Sequence, residues 1–187
     1  MFTSLPNLLT WLRVLAIPLL VGVFYLPVSA PARDIIATVL FVGAALTDWL
    51  DGWLARKMGQ TSAFGAFLDP VADKLIVCTA LVVLVHLDRV DALVAAIIIG
   101  REITISALRE WMAQMGASAS VAVHSIGKLK TISQLVAIPM LLFHGVLFGI
   151  LDTRVVGTWL IYLASVLTVW SMAYYLRRAW PYLQGTK

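Results

Sequence analysis

The sequence predicts an all-α, polytopic membrane protein with six transmembrane helices, and its composition, its apolar run lengths and the placement of its charges all support this. Of its 187 residues, 61% are hydrophobic and only 13% are charged, whereas an ordinary soluble domain is about 45 to 50% apolar. The mean hydropathy is +0.92. Apolar stretches long enough to cross a bilayer, about 20 residues each, use nearly the whole chain. We therefore expect a single membrane domain over residues 1–187.

Short polar breaks separate the six apolar stretches, and most of them have turn chemistry. The first break contains Pro27 and Pro31, and the second, from Lys57 to Ala66, contains two glycines. The break after the fourth stretch is small and polar rather than charged. The predicted helices are Leu5 to Tyr25, Arg33 to Lys57, Phe67 to His86, Asp91 to Met115, Ile126 to Phe148 and Val155 to Trp180.

Lysine and arginine are concentrated at one end of these predicted helices. If the N-terminus is cytoplasmic, three basic residues (Arg33, Arg89 and Arg154) fall near the outer ends, and the other eleven of the fourteen fall near the inner ends. Short cytoplasmic loops carry the excess of positive charge in membrane proteins. We therefore expect both termini, and the loop between the second and third helices, to be cytoplasmic.

Four aspartates in the second and third predicted helices need an explanation. An aspartate at the bilayer centre costs about 2.5 to 3.5 kcal/mol on insertion scales, which makes it a functional candidate by default. Asp48 and Asp51 are three residues apart, and Asp69 and Asp73 are four apart. Each spacing places a pair on one face of a helix, so two adjacent antiparallel helices would bring the four carboxylates together.

Carboxylate oxygens in such a cluster suit Mg²⁺ or Mn²⁺ rather than zinc, because no cysteine or paired histidine accompanies them at ligand spacing. Two divalent ions would neutralise four charges and would fit two-metal phosphoryl chemistry. The alternative is a purely structural salt-bridge network, in which the aspartates pair with Arg56, Lys57 and Lys74.

Small side chains at Gly52, Ala55 and Gly65 accompany the acids and would let a phosphate approach the backbone, where Arg56 would pair with it. The whole pattern, D-x2-D-G-x2-A-R-x8-G-x3-D-x3-D, resembles the signature of the CDP-alcohol phosphotransferases. That resemblance implies transfer from a CDP-linked lipid or alcohol to an acceptor hydroxyl with release of CMP. It also implies a dinuclear metal centre among six transmembrane helices.

The same resemblance implies a role for each acid. Asp48, Asp51 and Asp69 would be the principal metal ligands. Asp73 would be the base that removes the proton from the attacking hydroxyl, and it could also touch the second metal.

Asn7, Thr10 and Arg13 interrupt the start of the first apolar stretch, which favours a retained helix over a signal peptide. They fit a helix cap followed by a snorkelling arginine. Alternatively, bacterial members of the family have a similar segment near the nucleotide, and this resemblance implies that the three residues would lie near it here. The predicted CDP-diacylglycerol-binding residues are Asn7, Thr10, Arg13, Gly52, Ala55, Arg56, Ser62 and Gly65.

Basic residues on the fourth and fifth predicted helices suggest a second anion site. Arg101, Arg109, Lys128 and Lys130 would line a pocket for a phosphate on the acceptor; the alternative is that Glu102 neutralises Arg101 structurally. The segments from 101 to 112 and from 120 to 131 resemble those of bacterial family members that use sn-glycerol 3-phosphate. The implied reaction converts CDP-diacylglycerol and glycerol 3-phosphate to phosphatidylglycerol phosphate and CMP.

Other interpretations stay open at this point. The same chemistry could use serine, an inositol phosphate or phosphatidylglycerol as acceptor, and inward carboxylates would also suit a divalent-cation transporter. Analogy with the family suggests Mg²⁺, a homodimer and the bacterial cytoplasmic membrane. The aromatic residues of the last helix, Tyr174 and Tyr175 among them, are expected to be interfacial anchors.

Overall fold

The computed structural model describes residues 5–58, 63–115 and 125–183, and most of these belong to six helices. A 3₁₀ turn, Val23–Tyr25, follows the first helix, and an antiparallel hairpin of β1 (Val146–Leu147) and β2 (Leu151–Asp152) joins the last two. Each predicted helix has a counterpart. The helices are α1 (Leu5–Gly22), α2 (Ala30–Met58), α3 (Ala63–His86), α4 (Ala92–Gln114), α5 (Ser125–Phe143) and α6 (Thr153–Leu183).

The fifth predicted helix is wrong at its C-terminal end. It was expected to run to Phe148, but α5 ends at Phe143. His144 and Phe148 have φ angles of 48° and 55°, and Gly149 has 70°, so the backbone here is left-handed and cannot continue a right-handed helix. The short apolar run concealed this turn, because hydropathy alone does not distinguish a strand from a helix in so few residues.

Two other helices begin three or four residues earlier than the sequence suggested. The second helix starts at Ala30 rather than at Arg33, because Pro31 lies in its first turn, where a proline has no hydrogen bond to lose. The third starts at Ala63 rather than at Phe67. The start of α4 agrees closely with the prediction, since Asp91 caps it by accepting hydrogen bonds from the amides of Leu93 and Val94 at 2.8 and 3.4 Å.

Two clusters of buried apolar side chains hold the helices together. The larger cluster contains side chains from all six helices. Close packing of α5 on α6 requires glycine at position 157, where a Cβ atom would lie 2.8 Å from Leu141 Cγ. The smaller cluster joins α4 to α6 and is called here the α4–α6 cluster. Its buried members are Ile105, Met112, Tyr175 and Ala179.

Large apolar side chains also cover much of the outside of the bundle. Val39, Val166 and Trp170 are each more than 60% exposed, which would be unfavourable over a large area facing water. Among the described residues, two helical segments, Ala30–Thr47 and Thr153–Arg177, are long and apolar enough to cross a membrane. The surface and these segments indicate a membrane protein.

Successive helices run in alternating directions, so the bundle has two ends. We name one of them after the D-x2-D-G-x2-A-R-x8-G-x3-D-x3-D motif. The motif end is where α1, α3 and α5 begin. At the opposite end, the Nη2 atom of Arg89 donates to both carboxylate oxygens of Asp34 at 2.9 and 2.8 Å. The Nη1 atom donates to the carbonyl of Leu142 at 2.8 Å. One arginine after α3 thus ties the start of α2 to the end of α5.

Candidate functional site

The site is built around two carboxylates on one face of α3. Asp69 and Asp73 lie one helical turn apart, and both contact the first helix. The Thr10 hydroxyl donates to Asp69 Oδ1 at 2.5 Å, and Arg13 Nη1 donates to Asp73 Oδ1 at 2.6 Å. The Arg13 side chain is fully buried, whereas the Asp73 side chain is 40% exposed. The first helix therefore orients both acids while leaving Asp73 accessible.

These acids fit a divalent metal ion by donor type. Both supply hard carboxylate oxygens, which Mg²⁺ and Mn²⁺ prefer. Each carboxylate oxygen has more than one acceptor position, so the hydrogen bonds from Thr10 to Asp69 and from Arg13 to Asp73 are compatible with metal coordination. Asp48 and Asp51 belong to α2, and their side chains lie outside the part of the chain that the structure describes.

A cavity of about 370 Å³ lies between α3, α4, α5 and α6, and charged side chains, Asp73 among them, form part of its wall. Its wall includes three basic and two acidic side chains, so it has an excess of positive charge. This arrangement brings Asp73 together with two of the predicted acceptor-binding residues. The five charged residues in the wall are Asp73, Lys74, Arg101, Glu102 and Arg109.

Glu102 holds two cations at one side of the cavity. Its Oε1 atom accepts hydrogen bonds from Arg101 Nη1 at 2.8 Å and from Lys130 Nζ at 2.5 Å. Both cations are nearly buried, with side chains 8% and 2% exposed. The structure therefore contains the ion pair between Arg101 and Glu102 that was the alternative interpretation of Arg101. One carboxylate neutralises only one of the two positive charges, so Arg101, Glu102 and Lys130 together keep a net positive charge. This charge would attract an anion.

Arg109 is exposed and is anchored on one side by Tyr175 from α6. Its Nη2 atom donates to the Tyr175 hydroxyl at 3.3 Å, and its Cζ atom lies 5.3 Å from the centre of the tyrosine ring, within the range of a cation–π contact. A guanidinium has five N–H donors, so this contact leaves donors for a ligand. Tyr175 is only 1% exposed, since it belongs to the α4–α6 cluster.

The expectation that Tyr175 is an interfacial anchor is therefore wrong, since the side chain is buried and lines the cavity. Sequence reasoning also missed Gln134 and Thr131, which line the same wall. A signal for Gln134 was present, because it follows Lys130 by four residues and so shares a helix face with it. For Tyr175 the sequence held no such signal among the many aromatic residues of α6.

The remaining predicted site residues divide into two groups. Lys130 contacts Glu102 but is not part of the cavity wall described above. The side chains of several others lie outside the described part of the chain, as does Ser62 entirely, so their roles stay predictions. Those in helices are Asn7, Gly52, Ala55, Arg56, Gly65 and Lys128.

Fold and site together define a helical membrane protein with a cationic cavity beside paired carboxylates, an arrangement suited to a phosphorylated substrate. A model of the CDP-alcohol phosphatidyltransferase family matches residues 3–170. The chain belongs to this family, whose members generally depend on divalent metal ions.

Individual proteins of similar sequence give a more specific comparison than the family does. The chain is 49% identical over 178 residues to a protein of Escherichia coli (strain K12) and to one of Shigella flexneri, covering 94% of each chain. It is 49% identical over 179 residues to a protein of Salmonella choleraesuis, again covering 94% of both. All three are named CDP-diacylglycerol–glycerol-3-phosphate 3-phosphatidyltransferase.

Proposed function

We propose that this protein transfers the phosphatidyl group of CDP-diacylglycerol to sn-glycerol 3-phosphate, giving phosphatidylglycerol phosphate and CMP. The observation that carries the proposal is the cavity between α3, α4, α5 and α6, whose wall holds a carboxylate of the family motif beside Arg101 and Arg109. The names of relatives that match 94% of this chain support the choice of acceptor.

The acceptor's phosphate binds at the basic part of the cavity. Arg109 offers a planar, permanently charged donor set that suits a phosphate, and Arg101 and Lys130 add the net positive charge left beside Glu102. Lys128, near the start of α5, completes the predicted set. A neutral acceptor such as serine lacks the phosphate that would use these cations.

Asp73 acts at the other side of the same cavity. It takes the proton from the primary hydroxyl of glycerol 3-phosphate as that oxygen bonds to the lipid-linked phosphorus. The bond from this phosphorus to the CMP phosphate breaks, and CMP leaves with the electron pair. Arg13 holds Asp73 at 2.6 Å and so fixes the direction from which the carboxylate meets the hydroxyl.

Asp48, Asp51, Asp69 and Asp73 would hold two divalent ions, Mg²⁺ or Mn²⁺. Bound there, the ions would supply charge neutralisation for the diphosphate and polarise the phosphorus. Thr10 contributes by orienting Asp69 through their 2.5 Å hydrogen bond.

CDP-diacylglycerol binds next to these acids. Thr10 and Arg13 contact Asp69 and Asp73, which supports their predicted place near the nucleotide. The other members of this predicted set are Asn7, Gly52, Ala55, Arg56, Ser62 and Gly65.

In this proposal the six helices all span the bacterial cytoplasmic membrane, with both termini and the motif end facing the cytoplasm. The lipid substrate then reaches the site from the bilayer, while soluble glycerol 3-phosphate enters and CMP leaves on the cytoplasmic side. The distribution of lysine and arginine supports this orientation. The protein is also proposed to form a homodimer, by analogy with its family.

Release of CMP by the purified protein tests the proposal. With CDP-diacylglycerol and Mg²⁺, we expect fast release with glycerol 3-phosphate and at least about 100-fold slower release with serine, inositol phosphate or phosphatidylglycerol, which lack the expected fit. Removal of divalent ions by EDTA should stop the reaction, and Mg²⁺ or Mn²⁺ should restore it. Equal rates with serine and glycerol 3-phosphate would contradict the proposed acceptor.

A further inference from the structure

One amide in the cavity wall has no use in the mechanism above. Gln134 lies in α5, is only 5% exposed and lines the cavity that contains Asp73 and Arg101. Its Oε1 atom is buried and has no hydrogen-bond partner within the described part of the chain. A buried carbonyl oxygen without a partner is unfavourable, and such groups in native proteins need an explanation.

A second unpartnered atom lies in the same wall and has the opposite polarity. Arg101 is 7% exposed, and its Nε atom is a buried donor that no described residue accepts from, although its Nη1 atom is bonded to Glu102. The cavity thus presents one unused donor and one unused acceptor. The phosphate group of a ligand would satisfy the donor alone, because the dianion of a phosphate monoester accepts hydrogen bonds but has none to give.

We propose that Gln134 determines acceptor specificity by accepting a hydrogen bond from a second hydroxyl of the acceptor, so that the cavity selects a phosphorylated three-carbon polyol. The inference rests on the proposed function and deepens it. Glycerol 3-phosphate has three groups to place: its phosphate goes to Arg101 and Arg109, and its primary hydroxyl goes to Asp73. The secondary hydroxyl between them remains for the Gln134 carbonyl.

This assignment predicts that the secondary hydroxyl contributes to recognition although it takes no part in bond formation. A site built to bond a substrate hydroxyl rejects the analogue that lacks it, because the buried polar group is then left unpaired. The suitable analogue is 3-hydroxypropyl phosphate. It has the same phosphate and primary hydroxyl on a three-carbon chain, and it lacks only the secondary hydroxyl.

The experiment measures CMP release by the full-length protein with each of these two acceptors, for wild type and for Gln134→Leu. Wild type should have a kcat/KM at least about 10-fold higher with glycerol 3-phosphate, the usual size for one hydrogen bond in a buried site. Gln134→Leu should reduce this preference to within about threefold. The variant's kcat/KM for 3-hydroxypropyl phosphate and its KM for CDP-diacylglycerol should stay within about twofold of wild type.

Ser133→Ala is the matched control, since Ser133 is also buried in α5 but is not among the residues of the cavity wall; it should keep the wild-type preference. Equal losses with both acceptors in Gln134→Leu, or an unchanged preference, would overturn the assignment. So would a wild type that uses both acceptors equally well, even if the variant failed to fold. If wild type released no CMP with glycerol 3-phosphate, the proposed function itself would fail.

Discussion

Each end of the bundle has a largely buried arginine beside a carboxylate, but the two arrangements differ in which hydrogen-bonding atoms they leave without a partner. At the opposite end, Arg89 bonds both oxygens of Asp34 and the carbonyls of Leu141 and Leu142, which accept at 3.2 and 2.8 Å. At the motif end, Arg101 shares Glu102 with Lys130 and leaves its Nε atom without a partner among the described residues.

The difference shows how ion pairs in an apolar bundle serve two purposes. The Arg89–Asp34 pair is neutral and has carbonyl partners as well, so it needs no ligand and contributes to the packing of three helices. The motif end combines excess positive charge with a cavity of about 370 Å³, so a phosphorylated ligand would complete it. Of these two buried arginine–carboxylate groups, the one with complete hydrogen bonds packs helices together, and the one with incomplete hydrogen bonds borders the candidate site.

The largest effect is expected from Asp73→Asn. Removal of the base should lower kcat by at least about 100-fold, the usual minimum for general base catalysis, while the protein stays folded. Steady-state CMP release checks this, with Asp34→Asn as the control in which an aspartate of the opposite end is changed. A rate for Asp73→Asn within a few-fold of wild type would remove Asp73 from the role of base.

The opposite end should respond in stability rather than in catalysis. Arg89→Met leaves Asp34 buried without its cation, which should lower the free energy of unfolding by about 3 kcal/mol. Thermal unfolding in detergent measures this loss, and turnover per folded molecule should stay within about twofold of wild type. Replacement of both partners, Asp34→Leu with Arg89→Met, should recover part of the stability. If Arg89→Met kept the stability of wild type but lost most of its turnover, the opposite end would not have the purely structural role assigned to it.

Arg109→Ala should weaken acceptor binding selectively. Loss of a charged hydrogen bond to phosphate costs about 1.5 to 3 kcal/mol, so KM for glycerol 3-phosphate should rise by about 10- to 100-fold. KM for CDP-diacylglycerol should change little. Arg154→Ala is the control, because Arg154 forms an exposed pair with Asp152 at the opposite end and should affect neither constant. Equal increases in both KM values would argue against an acceptor site at Arg109.

The smallest effect is expected from Tyr175→Phe, which keeps the ring under Arg109 and removes only its hydroxyl. Because the hydrogen bond is long, at 3.3 Å, KM for glycerol 3-phosphate should rise only about threefold with kcat unchanged. Tyr162→Phe, an exposed position on the same helix, should behave as wild type. A fall in kcat with no change in KM would show that Tyr175 does not act through Arg109.

The order of the helices was predictable because each needs a long apolar run, and such runs are plain in the sequence. The hairpin after α5 was not, since it depends on left-handed backbone at His144, Phe148 and Gly149 inside an apolar segment. Only the last of these is a glycine, so the usual turn signal was weak.

The sequence predicted those parts of the candidate site that depend on spacing within one helix. It did not predict the parts that depend on how the helices pack together. Asp69 and Asp73 are one turn apart on a single helix, which the sequence shows directly. Tyr175 meets Arg109 only because the α4–α6 cluster packs two distant segments together, 66 residues apart in the chain. The shared oxygen of Glu102 likewise depends on the contact between α4 and α5, and no local pattern encodes it.

Density for bound glycerol 3-phosphate would show directly whether the acceptor binds in the cavity beside Asp73. We expect the phosphate beside Arg101 and Arg109, the primary hydroxyl facing Asp73, and the secondary hydroxyl within hydrogen-bond distance of Gln134 Oε1. Density for the ligand beside Arg89 and Asp34 instead, with the cavity free of it at saturating concentration, would contradict the account.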